Sequence, residues 1–149
     1  MKADTRSTND DEGPHRTRLT FPKSERLCQR RAFDHLFEHR NSFRMGVLTF
    51  FYAKHCPAEW IKAPLSVAFS APKRGFKRAV DRNLLKRRMK EAYRLHKAPL
   101  YHLVQQEELS LVLLVKFHGR RIGSYHRIER DLRRGLDKLA RNLAPDSET

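Results

Sequence analysis

The stretch LSVAFSAPKRGFKRAVDRNLLKRRMKEAYRLH, residues 65–96, decides the fold. Its first seven residues alternate: Leu65, Val67, Phe69 and Ala71 face one way, Ser66, Ala68 and Ser70 the other. That period of two predicts a half-buried strand over 65–71. Pro72 and Gly75 punctuate a short loop. From about Ala79 to His96 the period becomes helical, with Leu85, Met89, Ala92, Tyr93 and His96 on one stripe. A strand feeding a helix through a short loop marks a mixed chain of strands and helices.

Outward from this unit the same reasoning finds further elements. Pro22 and Ser24 open a helix to about His39, with Ser24 as N-cap. Its apolar stripe is Leu27, Cys28, Ala32, Phe33, Leu36 and Phe37, so the Cys28 thiol is expected inside. VLTFFYAK, 47–54, is a strand by composition, and a short extra strand fits near 42–45. Pro57 and Pro64 mark a connection. Residues 109–117 are nearly continuous in apolar types, as in a central strand covered on both faces. After Gly119 and Gly123, a last helix from about Ser124 to Leu143 carries Ile128, Leu132, Leu136, Leu139 and Leu143 on one side. Gly135 lies near that stripe and would let the helix approach the sheet closely, despite a cost of about 1 kcal/mol in a helix.

The chain has 149 residues and a formal net charge of +15. Residues 1–20 balance their charges and residues 144–149 are acidic; both lack apolar periodicity and are expected to be disordered tails around one domain, 21–143. Residues 73–97 hold eleven bases and only two acids, too few for salt bridges within the helix to explain the pattern. No apolar run approaches the roughly 20 residues of a membrane span. The N-terminus has no apolar stretch of the secretory kind, and two cysteines, Cys28 and Cys56, make no disulfide or metal framework. A reducing, cytoplasmic setting is expected, with a polyanion as partner and nucleic acid foremost.

The bases are also ordered in space. Arg82, Lys86, Lys90 and Arg94 recur every four residues, with Asn83 and Arg87 in a second row beside them. At 1.5 Å per residue the first row climbs about 18 Å, enough to meet several phosphates. The eight histidines form no recognisable pair with a carboxylate, and no phosphate-binding glycine loop occurs. No catalytic residue is expected in the protein itself. A basic amphipathic membrane binder fits poorly, because Trp60 is the only tryptophan and lies outside the helices.

The segment AVDRNLLKRRMKEAYR, 79–94, resembles the hallmark helix of the protein component of bacterial ribonuclease P, A-V-x-R-N-x-x-K-R-x-x-(R/K)-E-(A/S)-(Y/F)-R, at every fixed position. FPKSERLCQRRAFDHLFEHR resembles the family's first helix, with Phe33 and Phe37 in the places of its two aromatics. LSVAFSAPKRGFKRAVDRN resembles its strand and loop, and LVLLVKF with the last helix resembles its C-terminal part, so about 21–143 is covered. The resemblance implies an α+β, two-layer α-β-β-β-α-β-α sandwich, like the second domain of ribosomal protein S5. Its β-α-β crossover would be left-handed, against the usual rule. It implies a protein subunit that binds the catalytic RNA and the single-stranded 5′ leader of precursor tRNA. The RNA would hydrolyse the phosphodiester with Mg²⁺, and the protein would bind no cofactor of its own. A monomer in a 1:1 holoenzyme is implied.

Carried onto this chain, Arg82, Asn83, Lys86, Arg87 and Lys90 are the candidates for the catalytic RNA, supported by Lys73, Arg74, Lys77, Arg78 and Arg94. Lys stands at 90 where Arg is more usual, and at 77 where many members have Gly. The resemblance also implies a leader groove between the first helix and the sheet, for which Phe33, Phe37, Phe50, Tyr52, Ser66 and Ser70 are the candidates, with Ala68 part of the same low strip. Aromatic platforms beside cations hold single strands in this way, although phenylalanines at helical spacing equally suit a core. Tyr52, with its polar tip, is expected to be exposed. The alternative is an RNA-binding structural protein of ribosomal type, without a processing role.

Overall fold

The computed structural model describes residues 20–144. The tails expected at 1–20 and 144–149 lie outside the described residues, apart from Thr20 and Ala144. The order is α1 (Arg30–His39), β1 (Asn41–Met45), β2 (Leu48–Ala53), β3 (Leu65–Ser70), α2 (Ala79–His96), α3 (Ala98–Gln106), β4 (Leu111–Phe117) and α4 (Tyr125–Leu143). Single 3₁₀ turns form at Lys23–Glu25 and Ala58–Trp60. The sheet runs β1-β2-β4-β3; β2 is antiparallel to both neighbours and β3 is parallel to β4. That parallel pair, joined through α2 and α3, is the β-α-β unit of an α+β fold.

The alternation of the strands divides the core. Leu48, Phe50 and Tyr52 of β2, Leu65 and Val67 of β3, and Leu111, Leu113, Val115 and Phe117 of β4 meet the stripes of α2 and α4 on one face. On the other face Ala53 and Val112 meet Ala32 and Leu36 of α1, with Leu27 and Cys56. The central strand β4 is therefore covered on both faces, as its composition predicts. The stripe of α2 is buried at Leu85, Met89, Ala92 and Tyr93, while His96 is half-exposed and bonds Glu129 at 2.8 Å.

Two close approaches need glycine. Gly46 in the β1–β2 turn has φ +62°, and Asp131 of α4 reaches the turn to accept the Val47 N–H at 3.0 Å. Gly135 lies against Phe50: a Cβ built there would come within 3.0 Å of three ring atoms. The sequence places this glycine beside the sheet, and the structure shows what it admits.

The N-terminal segment departs from expectation. Ser24 caps no α-helix, and α1 begins only at Arg30. Residues 26–27 instead extend along the outer edge of β3, where the Leu27 N–H donates to the Val67 carbonyl at 2.9 Å. That pairing covers a sheet edge, which would otherwise invite another strand, and uses a backbone donor that a helix would claim. Cys28 is consequently exposed rather than inside. The helix α3 was not anticipated; Leu100 and Val104, one turn apart, bury it, and proline occupies its first turn.

Candidate nucleic-acid interface

Helix α2 buries one side and turns the rest outward. Its bases have different fates. Arg82 is held inward: Nη1 donates to the carbonyls of Phe76 at 2.8 Å and Lys77 at 2.9 Å, fastening the preceding loop to the first turn of α2. Arg88 donates to the Gly123 carbonyl before α4. Arg94 pairs with Glu91 at 2.6 Å, and that bond holds the Glu91 carboxyl below the usual carboxylate range. Lys97 is buried against Glu25.

Asn83, Arg87 and Lys90 remain exposed and Lys86 half-exposed, with no ion pair or hydrogen bond from their side chains to other described residues. Lys73, Arg74, Lys77 and Arg78 are exposed on the loop that Arg82 fastens. The structure thus gathers most of the signature candidates into one open cationic surface. Arg82 differs from the others in that two carbonyls engage its Nη1, so it also shapes the loop.

The second surface lies on the α1 side of the sheet. Residues directly opposite across a sheet share a face, so Ser42, Phe51, Leu114 and Ala68 form one row, and Arg44, Thr49, Lys116 and Ser70 the next. Phe33 of α1 and Phe51, Ala68 and Leu114 of the sheet are all partly buried and pack against the same small core beneath α1. The Phe37 ring stacks on Phe33 with centroids 6.4 Å apart and is 50% exposed. The Arg40 guanidinium stands 5.6 Å from the Phe51 ring centroid. The floor is partly open at Phe51, Ala68, Ser70 and Lys116.

Phe33 and Phe37 stack on each other and Ser70 lies on the same side of the sheet as α1, whereas Phe50 and Tyr52 lie on the opposite side. Phe50 is fully buried beneath Gly135 on the opposite face, and Tyr52, 8% exposed, points the same way. The β2 aromatic on the α1 side is their neighbour Phe51. A shift of one residue moves a whole strand's side chains to the other face, and three consecutive aromatics, Phe50, Phe51 and Tyr52, hide the phase. Ser66 is on the groove face but only 1% exposed, in the row Ala53–Val112–Ser66 that packs towards α1. Lys116, Thr49 and Arg40 were not anticipated either. Lys116 was legible in principle as the one charge in an apolar strand.

On the same side of the sheet His118 and Thr49 Oγ1 share a hydrogen bond of 2.8 Å. Burial, followed by the nearby Arg44 charge, pushes the imidazole below its ordinary value. A histidine depressed in the folded state takes up its proton more readily when unfolded, so this group removes stability as pH falls below about 6.5. Replacing His118 with Gln should flatten that part of the stability–pH curve; an unaltered curve would show that the histidine has no such effect.

Fold and surfaces together define a small basic α+β protein with an open cationic helix on one side of its sheet and, on the other, partly exposed aromatic rings beside Arg40. The Ribonuclease P family model matches residues 21–140. The ribonuclease P protein component of Chlorobaculum tepidum is 30% identical over 134 residues, covering 85% of this chain and 87% of that protein. That of Porphyromonas gingivalis is 30% identical over 121 residues, covering 81% and 87%. The Staphylococcus aureus RNase P protein structure superposes with a TM-score of 0.58 at 20% identity, covering 79% of this chain and 96% of that one. The chain belongs to the ribonuclease P protein family.

Proposed function

We propose that this protein is the subunit of a ribonuclease P that holds the catalytic RNA on the outer surface of α2 and the 5′ leader of precursor tRNA in the α1–sheet groove. The observation that carries this is the pairing of two surfaces. Asn83, Lys86, Arg87 and Lys90 have no side-chain partner among the described residues, and the groove sets Phe33, Phe37 and Phe51 beside Arg40 and Lys116. The first suits phosphates, whose neutralisation releases counterions. The second suits single-stranded bases, which stack on aromatic faces at about 1–3 kcal/mol each.

Among the described residues no three His, Cys, Asp or Glu side chains come together as a metal site. In this proposal the Mg²⁺ belongs to the RNA, which performs the hydrolysis. No helix among the described residues is long and apolar enough to cross a membrane; the protein is proposed to act as a monomer in the cytoplasm.

The decisive experiment is precursor-tRNA cleavage by a bacterial ribonuclease P RNA at low Mg²⁺. The protein should stimulate it; a folded protein without effect would overturn the assignment. Arg87→Ala with Lys90→Ala should weaken binding of the catalytic RNA, lower the salt slope by about one for each phosphate no longer neutralised, and leave the melting temperature unchanged. Phe37→Ala with Phe51→Ala should weaken leader-bearing precursor by about tenfold or more while sparing mature tRNA, given the stacking magnitudes above. Equal losses on both RNAs would remove the groove from the leader path.

A further inference from the structure

The segment between β4 and α4 carries cations that neither surface uses. Arg120 and Arg121, with Arg127 from the first turn of α4, line a cavity of about 490 Å³ whose other walls include Val47, Ile122 and Ser124. No carboxylate lines it. Arg120 and Arg121 are exposed, and their side chains have no ion pair or hydrogen bond to other described residues. Arg127 is tethered only loosely, with Nε 3.9 Å from Asp131, and is 55% exposed. Asp131 is itself engaged by the Val47 N–H at 3.0 Å and by Arg130 at 3.3 Å.

The walls are held from several sides. The His118 N–H donates to the Val47 carbonyl at 2.9 Å, and Arg88 of α2 donates to the Gly123 carbonyl. The Ser124 hydroxyl accepts the Arg127 N–H at 3.2 Å. A Cβ at Gly119 would come 2.8 Å from the Phe117 ring, so the chain turns closely over the end of β4. Three guanidinium groups around a concavity without an acid make a receptor for an oxyanion, because the fork of N–H donors fits phosphate oxygens two at a time.

We propose that this cavity is a third RNA contact, seating a backbone phosphate of the same catalytic RNA that lies on α2; this rests on the function proposed above. The catalytic RNA is favoured over the leader by position. The Arg88–Gly123 bond joins the cavity to α2, and its Val47 and Gly119 wall adjoins His118 at the edge of the aromatic face. The cationic surface of α2 thus continues past the helix towards α4. The salt dependence of binding then reports more neutralised phosphates than α2 alone provides.

The test is Arg120→Gln with Arg121→Gln in the full chain, with affinity for a bacterial ribonuclease P RNA measured across a salt series. The expected result is about a tenfold loss at moderate salt and a log–log slope shallower by about one to two, with melting temperature and preference for leader-bearing over mature tRNA unchanged. Arg120→Lys with Arg121→Lys should restore most of the slope and less of the affinity. Unchanged affinity and slope, alongside a clear loss for Arg87→Ala with Lys90→Ala, would overturn this proposal alone. A loss confined to leader-bearing precursor would also overturn it, by moving the cavity to the leader path. No effect from either pair would overturn the α2 surface and the cavity together.

Discussion

Glu25→Ala should destabilise the protein by about 3–5 kcal/mol, because it strands a buried ammonium without its counter-charge. Lys97 is 2% exposed at its side chain and Glu25 8%, with Nζ 2.7 Å and 2.9 Å from the two carboxylate oxygens. The Thr20 carbonyl accepts from the same ammonium, and the rings of Tyr93 and Tyr101 lie 5.9 and 5.5 Å away. Removing both charges is a different matter: Glu25→Leu with Lys97→Met should recover most of the loss, since an apolar pair needs no desolvation of ions. Urea unfolding of the two variants decides it. A Glu25→Ala loss below about 1 kcal/mol, the scale of an exposed pair, would show the ammonium reaching solvent.

Gly135→Ala should also destabilise, although alanine in an open helix is favoured over glycine by about 1 kcal/mol. The added methyl group meets the fully buried ring of Phe50. Phe43 stacks on that ring at 5.0 Å from the β1 side, which limits where it can move. Overpacking of this kind costs about 1–3 kcal/mol, and more where neighbours cannot yield. The melting temperature should fall, and Phe50→Leu should be less harmful in the Gly135→Ala background than in the unaltered protein. A raised melting temperature would mean that α4 simply lifts from the sheet.

Lys97 also shows where local reasoning ends. In the sequence it is one more base in a run that extends from Lys73; in the structure it is a core residue satisfied by Glu25, 72 positions away. Arg82 is similar, for its pattern marks it for RNA while two backbone carbonyls hold it. Charge type and spacing cannot separate these roles, because the competing partner comes from another part of the chain. The early start expected for α1 failed for a related reason: the helical stripe holds only from Ala32 onward, because pairing with the edge of β3 claims residues 26–27.

The sequence by itself determined the features that repeat along one element. The extent of α2 and its buried stripe, the doubly covered β4, the extent of α4, the closeness of Gly135 to the sheet and the concentration of charge on 73–97 are all local patterns of period or composition. Only the tertiary structure decided which face of β2 is the core, that Phe51 and not Phe50 or Tyr52 faces the α1 side, and which bases remain open to a partner. Each of those turns on contacts between segments distant in sequence, where the packing of Phe50 against Gly135 or the pairing of Lys97 with Glu25 selects among arrangements that the local pattern leaves equal.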